Sequence, residues 1–223
     1  YGGGKQMWIT EFGWPTHVNP LLQAQGFLPQ LIARAARLRF PKSETFDVAV
    51  LDETGLPGCD ELGLTVRDLL SQTGGFQARL VGLEGLKSLD PRKTQVLVMP
   101  TGEHYPADYF EDMLRFVREG GLLVHLGGVP FYYAQRLRDG KWEGPHAPES
   151  RREALHVGWK AWWTEKGLPE EAGRTQLLSP QADGVPLPDK TRSTRWLTDT
   201  KLKGNDKFIP LLAGYDGDNL VGY

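Results

Sequence analysis

The string WITEFGWPTH, residues 8 to 17, concentrates the side chains best suited to chemistry. A short β-prone stretch, Met7 to Thr10, ends at the carboxylate Glu11 and then at Gly13 and Trp14. A strand holds such a carboxylate in place, while the loop beyond leaves room for a substrate, so Glu11 is the candidate for chemistry. A second set comprises Glu103 and His104, which follow the Thr101-Gly102 turn, and His125, inside the apolar run from Gly121 to Val129. Glu103 and His104 are candidates to bind or polarise a polar ligand, or else belong to a loop that hydrogen-bonds to itself. His125 reads more readily as a core histidine than as a catalyst. The single cysteine, Cys59, sits in a Pro-Gly-Cys-Asp context without a visible base or electropositive neighbour, and reads as structural.

The elements that must position these residues follow from periodicity. From Leu21 to Phe40 the apolar Leu28, Leu31, Ile32, Ala35, Ala36 and Leu38 recur at intervals of three and four, as an amphipathic helix requires, and Pro41 ends it. One strand and one helix enclose no core, so this unit must dock on something. Next come FDVAVLD (46 to 52), a helix across 60 to 73, FQARLV (76 to 81), QVLVMP (95 to 100), a helix across 106 to 119, and GLLVHLGG (121 to 128). Nearly continuous apolar strands alternating with helices predict a doubly wound, mainly parallel α/β sheet covered on both faces. In such a sheet the ligand crevice lies beyond the carboxyl ends of the strands, which places Asp52 and Glu53, Thr101 to His104, and His125 to Gly128 around one edge.

After Tyr133 the pattern weakens. A charged, glycine-containing stretch from Arg136 to Arg152 precedes a helical segment, Glu153 to Lys166, carrying Trp159, Trp162 and Trp163. Their helical spacing favours burial against a sheet, with stacking on a sugar as the alternative. Residues 175 to 190 read as irregular, and 208 to 223 as a strand pair around the turn residues of Gly214 to Asn219. The expected division is a strand-helix unit over residues 1 to 42, the α/β domain over 43 to 135, and a less regular α+β extension over 136 to 223.

WITEFGWPTH resembles the end of the seventh strand of the (β/α)8 barrel in retaining glycoside hydrolases of the large clan whose two catalytic glutamates end strands four and seven. The resemblance implies that residues 1 to 42 are a remnant of such a barrel, that Glu11 is the nucleophile attacking the anomeric carbon, and that Trp14 and His17 line the sugar pocket. Retaining hydrolysis needs a second carboxyl group about 5 to 5.5 Å away to protonate the leaving oxygen and then activate water. In that family it lies in an Asn-Glu pair, a dipeptide this sequence lacks, so the acid/base is expected outside this chain. Residues 45 to 134, and above all QVLVMPTGEHYPADYFEDMLRFVREGGLLVHLGG, resemble the class I glutamine amidotransferase-like fold, more narrowly the flavodoxin-like domains attached to β-galactosidases, which help assemble oligomers. Active amidotransferases carry a cysteine at the strand-to-helix elbow, where this sequence has His125. Imidazole cannot form the thioester, so glutaminase activity is not expected.

Composition sets the remaining bounds. With Lys plus Arg at 26 against Asp plus Glu at 28, the chain has no basic excess to draw a phosphate backbone, and nucleic acid is not an expected partner. Its longest apolar runs fall well short of the roughly 18 to 20 residues of a membrane-spanning helix. The five histidines form no His-x-His or His-Glu-x-x-His pattern, and no phosphate loop or GxGxxG turn is present, so neither metal nor nucleotide cofactor is expected. The expected partners are a carbohydrate substrate for the parent protein and a second copy of the chain through the α/β domain. One cysteine leaves the compartment open. The absence of an initiating methionine and the apolar Leu220 and Val221 just before Tyr223 suggest an excerpt of a longer protein.

Overall fold

The computed structural model describes residues 5–9, 27–127, 130–146, 151, 156, 174–177, 204, 206, 212–216 and 218–222. Its centre is a five-stranded parallel sheet in the order β1-β6-β4-β2-β3. The strands are β1 (Lys5–Ile9), β2 (Phe46–Leu51), β3 (Phe76–Val81), β4 (Val96–Met99) and β6 (Leu122–Leu126). Helices α1 (Phe27–Arg39), α2 (Cys59–Thr73), α3 (Leu83–Lys87) and α4 (Phe110–Arg118) connect them.

Side-chain alternation along the strands builds two cores. Val48, Val50, Val96, Val98, Leu122 and Val124 pack with Leu28, Ile32 and Ala36 of α1 and Val66 and Leu70 of α2. Ala49, Leu51, Leu97, Met99 and Leu123 turn the other way, onto Leu83 and Leu86 of α3 and Met113, Leu114, Phe116 and Val117 of α4. Both faces are thus covered, which is why these strands read as unbroken apolar runs rather than as polar-apolar alternation. The expected doubly wound α/β architecture is the one observed.

Counted from the far edge, the order β3-β2-β4-β6-β1 is the flavodoxin-like order 2-1-3-4-5, except that the fifth place is taken by the strand that precedes all the others. Ile9 pairs with Leu126 and Lys5 with Leu122. The strand-helix unit expected to dock on something therefore does so within this sheet, β1 as its outer strand and α1 as a cover. The expected boundary at residues 42 and 43 corresponds to no break in the sheet.

Beyond the carboxyl ends of β4 and β6 a second, mixed sheet forms, in the order β5-β7-β8, from β5 (His104–Pro106), β7 (Tyr133–Arg138) and β8 (Lys141–His146). The charged, glycine-containing stretch from Arg136, to which no element was assigned, supplies most of a β-hairpin. Asp139 and Gly140, both at positive φ (49° and 74°), make its two-residue turn. A third, antiparallel sheet joins β9 (Arg174–Leu177), β10 (Leu212–Asp216) and β11 (Asn219–Gly222). The expected C-terminal strand pair is there, but β9 takes up the start of the stretch read as irregular. Trp159, Trp162 and Trp163 lie outside the described residues. Within the expected helix from Glu153 to Lys166 the described residue is His156, whose φ of 59° is incompatible with a right-handed helix at that point.

Leu97 is fully buried and fills the α3–α4 core from a central strand. Its replacement by alanine is expected to lower the unfolding free energy by about 2–5 kcal/mol in a urea titration. Leu64→Ala, on the outer face of α2 and 50% exposed, should change it by no more than about 0.5 kcal/mol.

Candidate functional site

The carboxyl edge of the parallel sheet is where an α/β protein of this type holds ligands, and the loops after β2, β4 and β6 meet there. After β2, Glu53 is bound by the scaffold and Asp52 lies close against it. Glu53 Oε2 accepts the backbone N–H of Leu83 at 3.1 Å, capping the start of α3. Asp52 packs against Gly63 of α2 so closely that a Cβ at residue 63 would lie 2.7 Å from Asp52 Oδ1.

The loop after β4 turns through Gly102 at a φ of 60°, a left-handed conformation that suits glycine, and its N–H donates to Leu126 O at 3.1 Å. This ties the β4 loop directly to the end of β6. The Glu103 carbonyl accepts the N–H groups of Tyr132 and Tyr133 at 3.1 and 2.8 Å, so the backbone of this residue joins the two loops. His104 is half-buried and its ring stacks on Tyr133, with centroids 5.3 Å apart. The Gln135 amide donates to His104 Nδ1 at 2.8 Å, which leaves the ring proton on Nε2. Burial holds the imidazole below its ordinary pKa, in agreement with that neutral form. Thr101, fully buried, lies just beyond β4, and its hydroxyl has no hydrogen-bond partner among the described residues.

His125 does not face an open crevice. It occupies β6 between β1 and β4, is fully buried, and by alternation shares the face of Leu123. The Phe131 ring covers it at a centroid distance of 5.7 Å. Burial pushes its pKa down to about 4, against the opposing pull of backbone groups at Gly102 and Gly127. Phe131 also packs with Tyr105 and Phe110, at 5.4 and 5.5 Å between centroids, and Tyr105 with Phe110 at 5.9 Å. This aromatic group belongs to the same core as Leu51 and Met99, the last residues of β2 and β4, so the crevice position is filled from within.

Cys59 is buried at the start of α2, with its thiol 3.6 Å from Leu51 O. Leu51 lies on β2, two strand spacings or about 10 Å from β6, too far for a thiol–imidazole pair with His125. The edge therefore presents two neutral imidazoles, the Glu53 carboxylate capping α3, and a packed interior. Among the described residues no group of three or more His, Cys, Asp or Glu side chains could hold a metal ion, and no helix is long and apolar enough to cross a membrane.

Glu11, Trp14 and His17 lie outside the described residues; β1, the described strand that precedes them in sequence, ends at Ile9. The structure brings Glu103 and His104 together with Tyr132, Tyr133 and Gln135, three residues that sequence reasoning passed over. Their signal was the period of two along β7, by which Tyr133 and Gln135 share a face, and it was hidden by the charges beyond them.

No family model and no curated protein matches the sequence. Among solved structures, the chain is similar to a beta-galactosidase from Bifidobacterium adolescentis at 18% identity and a TM-score of 0.35, over 78% of this chain and 79% of that one.

The buried imidazole generates a pH prediction. His125 stays neutral in the folded state down to about pH 4, whereas an ordinary histidine takes up a proton near 6.5. The unfolded chain therefore binds the proton first. Stability is fully present above pH 6.5 and declines as pH falls toward 4, by up to roughly 3 kcal/mol from this residue. Urea titrations at pH 7 and 4.5 should show the decline in the parent chain and a smaller one in His125→Leu.

Proposed function

We propose that this chain is part of a multidomain retaining glycoside hydrolase and that its α/β body is a non-catalytic module of that protein. The non-catalytic character of the body rests on the state of the crevice. At the place where an amidotransferase would need an exposed cysteine beside a base, the chain has a buried neutral imidazole under Phe131. Thiolate attack on an amide has no group to perform it there. Membership of a glycosidase is supported by WITEFGWPTH, a carboxylate at a strand end followed by glycine and tryptophan.

In this reading Glu11 attacks the anomeric carbon and forms the glycosyl-enzyme. Trp14 and His17 line the sugar site, and a glutamate outside this chain protonates the leaving oxygen and then activates water. Carbohydrate is thus a substrate of the parent protein, and the isolated chain lacks half of the chemistry. The second reading is an accessory α/β module for oligomer assembly or ligand binding, in which the N-terminal string plays no part in sugar chemistry. The placement of β1 as an outer strand of the open sheet favours that reading, because the strand is hydrogen-bonded to β6 rather than to barrel neighbours.

The isolated chain should release no aryl alcohol from aryl glycosides and no ammonia from glutamine. In the glycosidase that contains the segment, Glu11→Gln should abolish turnover of aryl glycosides while leaving the circular dichroism spectrum unchanged. Hydrolysis unaffected by that change would remove Glu11 from the mechanism and leave the accessory module.

A further inference from the structure

The strand order of the sheet reverses between β2 and β4, the position at which open α/β sheets take their ligands. In this chain part of the β7–β8 hairpin reaches that position. Trp142 of β8 donates its indole N–H to the carbonyl of Thr54, in the loop that leaves β2, at 2.9 Å. The ring packs against the core that contains Leu51, Leu56 and Met99. Gly55 makes room for it, at a φ of 74° and with its Cβ position only 3.1 Å from Trp142 Cδ1.

We propose that the outer half of this hairpin, residues 136–142, is a strap closed over the switch point, and that it opens as a unit while the parallel sheet beneath stays folded.

The hairpin has the internal wiring to move as one piece. Leu137 pairs with Trp142 and Arg138 with Lys141 across the tight Asp139–Gly140 turn. Its base is fixed, since Ala134 and Gln135 are buried and β7 pairs with β5 there. By contrast, its outer half meets the body chiefly through Leu137 and Trp142, which are only partly buried against the core of Leu51 and Met99, and through Arg136 and Arg138. Lys141, Glu143, Gly144 and Pro145 are exposed, and Trp142 is the main side chain that β8 inserts. On β7, Arg136 and Arg138 share one carboxylate, Asp108, at 2.6 and 2.9 Å, on the surface where ion pairs contribute little. A segment with two partly buried apolar side chains, Leu137 and Trp142, and solvent-exposed ion pairs opens more readily than the whole domain unfolds.

The single cysteine supplies a native reporter. Cys59 is fully buried, in the same core as Leu56, at the end of the loop that Trp142 clamps. Reaction of its thiol with a soluble disulfide reagent, followed across low urea concentrations, separates the two kinds of opening. Opening of the strap exposes little surface and gives a rate with weak urea dependence, whereas global unfolding gives a steep one. In the parent chain the weak dependence is expected. Trp142→Phe keeps a ring but removes the hydrogen bond, and should raise the rate about fivefold. Trp142→Ala should raise it further, and Asp108→Asn, a surface change that frees Arg136 and Arg138, should raise it in the same sense. If Trp142→Phe and Asp108→Asn both leave the rate unchanged, or if labelling in every chain follows the urea dependence of global unfolding, the strap is a fixed part of the fold and the proposal fails.

Discussion

A parallel sheet covered on both faces has no solvent side on which to place a polar group, and most of this molecule follows from that constraint. Each central strand must offer apolar side chains alternately to α1 and α2 and to α3 and α4, as Val96 and Val98 against Leu97 and Met99 do on β4. Among the described residues, His125 is an ionisable side chain fully buried within a central strand, and it is held neutral because charging it would take a cation out of water. The sheet also needs a fifth strand beside β6. That place is filled from the N-terminal side of the chain, since a parallel edge is satisfied by any strand of the right direction and register, whatever its position in sequence.

The carboxyl edge shows which of two opposing effects prevails. Phe131 adopts a φ of 56°, a left-handed conformation for which a bulky side chain incurs a cost of about 1–3 kcal/mol. Its ring is 1% exposed, and full burial of a phenylalanine contributes roughly 1.5–3 kcal/mol, a comparable amount. Strain of that size persists only where surrounding contacts fix the residue, and here Tyr105, Phe110 and His125 all touch it. The backbone is bent to seat an aromatic side chain over the end of the sheet. A site evolved to admit substrate at that point would keep the space open.

The central strands and helices α1, α2 and α4 were legible, the strands because burial on both faces leaves an apolar run, and β2, β3, β4 and β6 fall within a residue or two of the expected segments; the five-residue α3 was not foreseen. Nor was the hairpin. Asp139-Gly140 is a strong local turn signal, but Arg136, Arg138, Asp139, Lys141 and Glu143 around it suppress the alternation that a half-buried strand would show. Strand β5, three residues long, is too short for any period. At the edge, sequence could place Glu103, His104 and His125 near one another, since all follow or end adjacent strands. It could not say that Gln135 would hold His104 or that Phe131 would cover His125, because those contacts depend on the hairpin that charge had concealed.

The placement of β1 bears on how the two family resemblances relate. Parallel pairing brings Ile9 level with Leu126, and the β4 loop returns to the same point through Gly102. The ends of β1, β4 and β6 therefore lie along one edge, and the chain leaves each of them from there. Glu11 follows Ile9 by two residues in sequence, while His125 sits one residue before the end of β6. Trp8 and Ile9, the described residues of the glycosidase-like string, thus pair with His125 and Leu126 on the adjacent strand of a single sheet. With the interior of that edge packed by Tyr105, Phe110 and Phe131, the imidazole of His125 is closed off from the edge at which β1 ends.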